Sequence, residues 1–270
     1  HHRMEIHPVI QIYFLFLSKF IKLLEIVEKL RGPDGCPWDK EQTHASLLPY
    51  FIEEAYEVME SVDKGDFETF QEELGDILLH VALQSQIASE DSKFNISDSL
   101  DTVNEKLVRR HPHVFGDKKA DAAFEAKQNW EATKHVEKNR KSRLDGVPLA
   151  LPALTRAQRL QQKAAYAGFD WDNVDDVWAK LHEEIDELKS AHKTGDMENF
   201  KEEIGDVLFS VVNLSRFFDI PAEDMLRATN RKFTTRFQKI EEELKAKGKK
   251  LEESTLEEME EIWERAKEKV

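Results

Sequence analysis

The chain is 270 residues long, 40% apolar and 34% charged, with a formal net charge of −15 at pH 7. That length predicts two domains, and the acidic balance excludes nucleic acid as the main partner, because phosphate backbones are held by basic surfaces. A single cysteine, Cys36, excludes an internal disulfide and points to a reducing, cytoplasmic compartment.

Val9–Leu17 is almost entirely apolar. It is too short to cross a bilayer, which takes about 20 residues. Lys19, Lys22 and Glu25 interrupt its continuation, so no membrane partner is expected. The segment reads as the start of a buried helix running on through Phe20, Leu23, Leu24 and Val27. Gly32-Pro33-Asp34-Gly35-Cys36-Pro37 stops that helix. A polar segment with Trp38 and Asp39 follows, then helices over Leu47–Asp63, Phe67–Ala88, Ile96–Arg110 and about Ala122–Lys138. The basic run Lys138–Arg143 and the punctuation of Gly146, Pro148 and Pro152 mark a boundary. The division expected is an extension over 1–17, a first helical domain over 18–143, a linker over 144–152 and a second helical domain over 153–270. Helices are expected again over Thr155–Gly168, Val177–Lys193 and Glu198–Phe217. All the periodicity lies near 3.6 residues and nothing alternates as strands do, so the fold class is all-α, built from tandem repeated helical bundles.

The repeat is explicit in the acids. Glu53, Glu54 and Glu57 are followed, after fifteen intervening residues, by Glu73, Gly75 and Asp76; adding 130 gives Glu183, Glu184, Glu187, Glu203, Gly205 and Asp206. Other landmarks recur at slightly different offsets: Trp38-Asp39 with Trp171-Asp172, Asn104 and Lys106 with Asn230 and Lys232, and Trp130 and Lys134 with Trp263 and Lys267. Length changes therefore fall between the motifs, as in a duplicated domain with insertions in its loops.

A spacing of three on a helix puts both members of an acidic pair on one face. Two such helices side by side aim four carboxylates at one point, and four anions together require a divalent cation. A solvated acidic helix face is the plainer alternative. The retention of all five acids and the glycine weighs against it, as does the position of Glu73 and Asp76 at the entry to an apolar half-helix. Glycine costs a helix roughly 1 kcal/mol, so Gly75 is expected to mark a close approach of helices. An all-oxygen ligand set favours Mg²⁺ or Mn²⁺ over zinc, and Mg²⁺ commonly works with substrate phosphates. A carboxylate-bridged iron centre is disfavoured, because it needs inward Glu-x-x-His motifs and the sole instance, Glu41 to His44, lies off the carboxylate helices.

Lys106, Arg109 and Arg110 lie within about a helical turn, as do Arg231, Lys232 and Arg236. Most such cations are a solvated face, but Lys232 and Arg236 form a pair that could grip phosphate oxygens. Trp130 and Trp263 are either packing residues or pocket-edge residues that stack on a base, each with a lysine four residues on. Trp38 and Trp171 read as packing residues beside a loop. His111 and His113 flank Pro112 at a helix end, where a capping role is expected.

Glu-Glu-x-x-Glu followed by Glu-x-x-Asp in a helical setting resembles the MazG family of nucleoside triphosphate pyrophosphohydrolases. The resemblance extends to Gly35-Cys36-Pro37-Trp38-Asp39-Lys40-Glu41-Gln42-Thr43-His44, to residues 104–116 and to Gly168-Phe169-Asp170-Trp171, and covers nearly the whole chain after about Ser18. It implies a dimerising all-α bundle that hydrolyses nucleoside triphosphates to monophosphate and pyrophosphate with Mg²⁺ and broad base tolerance. On that resemblance the metal ligands are Glu54, Glu57, Glu73 and Asp76, and Glu184, Glu187, Glu203 and Asp206. Glu53 and Glu183 are further ligands or the base for the attacking water. Lys106, Arg109, Arg110, Trp130 and Lys134, and Asn230, Lys232, Arg236, Trp263 and Lys267, are the candidate substrate contacts. The competing expectation is a non-enzymatic helical module that senses nucleotides or binds a protein partner.

Overall fold

The computed structural model describes residues 8–116 and 123–267, with side chains from Leu17 and from Glu125 onward. Residues 1–7 of the expected extension, and the side chains of 8–16, lie outside it. Every regular element among the described residues is a helix, with no strand among them, and these residues fall into two compact units, 8–116 and 123–267. No described helix is long and apolar enough to cross a membrane.

The first unit comprises α1 (Pro8–Arg31), α2 (Pro37–Glu41), α3 (Leu48–Lys64), α4 (Phe67–Glu90), α5 (Ile96–Arg110) and α6 (Pro112–Phe115). Val27 of α1, Leu47, and Ala82, Leu83 and Ile87 of α4 form its core, with Leu23, Leu24 and Leu79 packed around them. The turn that stops α1 depends on Gly35, where a Cβ would lie 2.1 Å from the Leu30 carbonyl oxygen. The loop beyond is tied down by Arg31. Its side chain donates to the carbonyls of Asp39 and Gln42 and pairs with Glu90 at 2.7 Å. His111 caps α5, its Nδ1 hydrogen-bonded to the Leu107 carbonyl at 2.7 Å.

The second unit comprises α7 (Ala123–Glu137), α8 (Ala153–Tyr166), α9 (Val174–Thr194), α10 (Met197–Phe217), α11 (Ala222–Ala246), a 3₁₀ turn (Leu251–Glu253) and α12 (Leu256–Lys267). Helix α8 is fastened to its neighbours by buried glutamines: Gln158 bonds the Ile220 carbonyl and the Ala222 amide, and Gln161 bonds the Phe209 carbonyl. Helices α11 and α12 enclose Ile240, Leu244 and Ile262. Sequence punctuation groups α7 with the first half, whereas in the structure α7 packs on α8. Lys163 and Arg159 of α8 reach Glu131 of α7 at 3.0 and 3.2 Å, and Gln128 donates to the Tyr166 carbonyl. Helical periodicity carries no trace of pairings about thirty residues apart.

The α3–α4 and α9–α10 hairpins share one construction. Gly65 and Gly195 end the first helix of each with left-handed φ of 67° and 72°. Asp66 then caps α4 by accepting from the Glu68 and Thr69 amides, and Asp196 caps α10 by accepting from the Asn199 amide. Glycine adopts positive φ without steric cost, and the following aspartate satisfies otherwise orphaned amides.

Candidate metal centres

The hairpin geometry dictates which acids meet. Glu57 and Glu73 lie eight residues either side of Gly65, and Glu54 and Asp76 lie eleven either side. In an antiparallel helix pair of equal rise, residues equidistant from the turn share a height. Glu187 and Glu203, and Glu184 and Asp206, bear the same relation to Gly195.

Carboxylate oxygens of Glu54, Glu57 and Glu73 converge within 4.8 Å of one another, and those of Glu184, Glu187 and Glu203 do the same. Asp76 and Asp206 stand outside these tight triads; aspartate is one methylene shorter than glutamate. They still act through their charge, Asp76 on Glu54 and Glu73, and Asp206 on Glu203. Glu53 is exposed, and Glu183 is exposed and bound to Lys180 at 2.9 Å.

The electrostatics are those of anions short of countercharge. Burial pushes the Glu54 carboxyl up to about 7, helped by its hydrogen bond with Glu73 and by the charges of Asp76 and Glu57. Glu54 is therefore the group that keeps a proton and donates it to Glu73. Glu73 is itself raised, by burial and then by the charge of Glu57. In the second centre burial, Glu187, Glu184 and Asp206 raise Glu203, whose buried Oε2 has no hydrogen-bond partner. Buried oxygens are normally satisfied. An orphaned carboxylate oxygen facing two further carboxylates is a donor set that fits a hard cation, so each triad can hold a metal ion.

The structure places the remaining candidates less uniformly. Lys106 is half-buried, Arg109 exposed and Arg110 buried; Trp130 and Lys134 are half-buried on α7. Asn230 and Lys232 are exposed on α11. The Arg236 guanidinium lies over the Trp263 ring, 5.7 Å from its centroid, and Phe233 packs against the same ring. Lys267 is exposed and pairs with Glu264 at 2.6 Å. Two local expectations fail. A Cβ at Gly75 or Gly205 would meet no atom within 4 Å, so neither glycine admits a neighbouring helix of its own chain. Trp38 and Trp171 are 50% and 44% exposed instead of packed, Trp38 standing edge-on to Tyr50. The turn held by Gly35 and Arg31 orders the loop without using the indole.

Two residues near the triads escaped sequence reasoning. Lys180 reaches Glu184 at 2.7 Å; a Lys four residues before a Glu was the available signal. His80, one turn beyond Asp76, is buried with its ring edge-on to Phe51, and burial lowers its pKa. Nothing in the surrounding sequence marks it, and the second copy has Ser210 there.

Fold and site together define a class: a duplicated all-α protein with an acidic, metal-competent centre in each repeat. The model of the MazG nucleotide pyrophosphohydrolase domain matches residues 42–115 and 173–240, one copy around each triad, and the chain belongs to that family. A Thermotoga maritima protein named nucleoside triphosphate pyrophosphohydrolase/pyrophosphatase MazG is 48% identical, over 92% of this chain and 95% of its own length. An Escherichia coli nucleoside triphosphate pyrophosphohydrolase is 41% identical over 93% of this chain and 98% of its own. The uncharacterized Bacillus subtilis protein YabN is 47% identical over 97% of this chain and 54% of its own.

Proposed function

We propose that the chain hydrolyses nucleoside triphosphates to nucleoside monophosphate and pyrophosphate with Mg²⁺, Mn²⁺ being the alternative ion, and that it accepts a broad range of bases. The observation that carries this reading is the pair of carboxylate triads, each within a matched family domain. The names of the full-length relatives support the reaction.

Glu54, Glu57 and Glu73, with Asp76 beside them, would hold the metal in the first unit; Glu184, Glu187 and Glu203, with Asp206, would hold it in the second. Bound Mg²⁺ supplies charge neutralisation for the triphosphate and a lowered pKa for coordinated water. Glu53 or Glu183 takes the proton of the attacking water. In the first unit Lys106, Arg109 and Arg110, and in the second Asn230, Lys232, Arg236 and Lys267, steady the phosphates as charge moves onto the departing pyrophosphate; Lys134 stands on α7 of the second unit, where its charge acts on Glu131. Trp263 borders the nucleoside in the second unit, and Trp130, its sequence counterpart, lies on α7 of that same unit.

A cytoplasmic homodimer that binds neither membrane nor nucleic acid completes the proposal. Dimerisation draws support from apolar side chains left exposed on the carboxylate hairpins, Ile52, Tyr56, Leu74 and Leu78 in one unit and Ile204, Leu208 and Val211 in the other. Large apolar side chains left exposed a helical turn apart, as Ile52 with Tyr56, Leu74 with Leu78 and Ile204 with Leu208 are, suit an interaction face. Separation of the products of nucleoside triphosphate turnover tests the reaction. Monophosphate and pyrophosphate are expected; diphosphate and orthophosphate would overturn it.

A further inference from the structure

The two centres neutralise their carboxylates differently, and the difference lies at one register position. In the second centre the Lys180 ammonium reaches Glu184 at 2.7 Å and Glu183 at 2.9 Å. Lys180 lies one helical turn before Glu184 on α9, so its side chain and that carboxylate share a face. The Glu184 side chain is only 8% exposed, while Lys180 is 37% exposed and open to solvent at its rim. The residue at the same register in the first centre, by the offset that maps the acids, is Tyr50, which stands edge-on to Trp38. Among the described residues no ion pair reaches Glu54, Glu57, Glu73 or Asp76.

We propose that Lys180 is a built-in counter-ion of the second centre, competing with the divalent cation for Glu184, so that the two centres of one chain bind metal with unequal affinity. The inference rests on the reading of the triads as metal centres and adds a residue that tunes one of them. An ammonium bound to a half-enclosed carboxylate must be pushed aside, or endured as a like charge, when a cation enters the triad. A lysine ammonium carries its charge throughout the working range of pH. The first centre meets an arriving cation with an aromatic phenol in that place and no opposing charge. At pH 7 and above, where the proton on Glu54 costs the first centre no more than about twofold, metal therefore fills the first centre at lower concentration than the second.

The test is Mn²⁺ titration followed by electron paramagnetic resonance, on the full chain with the first centre disabled by Glu54→Gln and Glu57→Gln. Adding Lys180→Met keeps the side-chain length and removes the charge. Its expected result is Mn²⁺ binding tighter by roughly two- to fivefold, the range of a partly exposed ion pair, whereas Lys180→Arg leaves the affinity close to its starting value. In the reciprocal chain, with the second centre disabled by Glu184→Gln and Glu187→Gln, Tyr50→Lys is expected to weaken Mn²⁺ binding to the first centre. Unchanged or weaker binding on Lys180→Met, in a variant whose circular dichroism and melting match the parent, overturns the proposal. A parent that binds no Mn²⁺ at the second centre overturns the metal reading itself, and the proposal with it.

Discussion

Glu54 ties metal binding in the first centre to a proton. Its carboxyl is pushed up to about 7 by burial and by Glu73, Asp76 and Glu57. A metal ion needs it ionised, so binding releases whatever proton it still holds. With that pKa the ionised fraction climbs from about 0.1 at pH 6 to about 0.9 at pH 8. Metal affinity at the first centre is then expected to rise about tenfold over that interval and to level off above it. The assay is isothermal titration of Mg²⁺ or Mn²⁺ into the Glu184→Gln, Glu187→Gln chain at pH 6, 7 and 8. Repeating pH 7 in two buffers of different ionisation enthalpy counts the protons, and about half a proton per bound ion is expected. Glu54→Gln removes the titrating group, so its binding should be weaker and nearly flat with pH over this range. An affinity independent of pH, or no proton release at pH 7, would refute the reasoning.

The same raised pKa fixes a stability trend. Because Glu54 holds its proton more tightly in the folded chain than an ordinary glutamate does at 4.5, folded chains bind more protons between that value and about 7. Metal-free protein should therefore melt at progressively lower temperature as pH rises through that window, and Mg²⁺ should offset the loss by binding the folded state; a scan series by differential scanning calorimetry reads this. Asp66→Ala removes the acceptor for the Glu68 and Thr69 amides and is expected to cost about 1 kcal/mol by urea unfolding. Ile262, 1% exposed between α11 and α12, should cost about 2–5 kcal/mol on truncation to Ala, and the near-ultraviolet dichroism of Trp263 should weaken with it.

Helices and carboxylate pairing were legible in the sequence because both depend on local spacing. The three-residue intervals put each acid pair on one face, and the Lys64-Gly65-Asp66 and Thr194-Gly195-Asp196 turns fold the pairs together. Trp38 was misread because burial depends on what covers a loop, which periodicity does not carry; Gly35 and Arg31 order that loop from beneath. Gly75 was credited with a close contact, yet nothing in its own chain approaches it, nor its counterpart Gly205. The placement of α7 rests on Glu131, whose carboxyl burial would raise but which Lys163, Lys134 and Arg159 hold below its ordinary value. That arrangement is a product of tertiary packing between α7 and α8. Asp76 and Asp206 share their faces with the triads, as the spacing requires, but reach is a matter of side-chain length and helix rotation.

The most direct test of the claim that each repeat is a metal centre is Mn²⁺ occupancy of the full chain at saturation. Glu57→Gln and Glu187→Gln are made singly and together, with folding verified by circular dichroism. Each single variant is expected to lose the contribution of its own centre, and the double variant to bind no more than the non-specific baseline. Wild-type occupancy in the double variant would contradict the assignment of both triads.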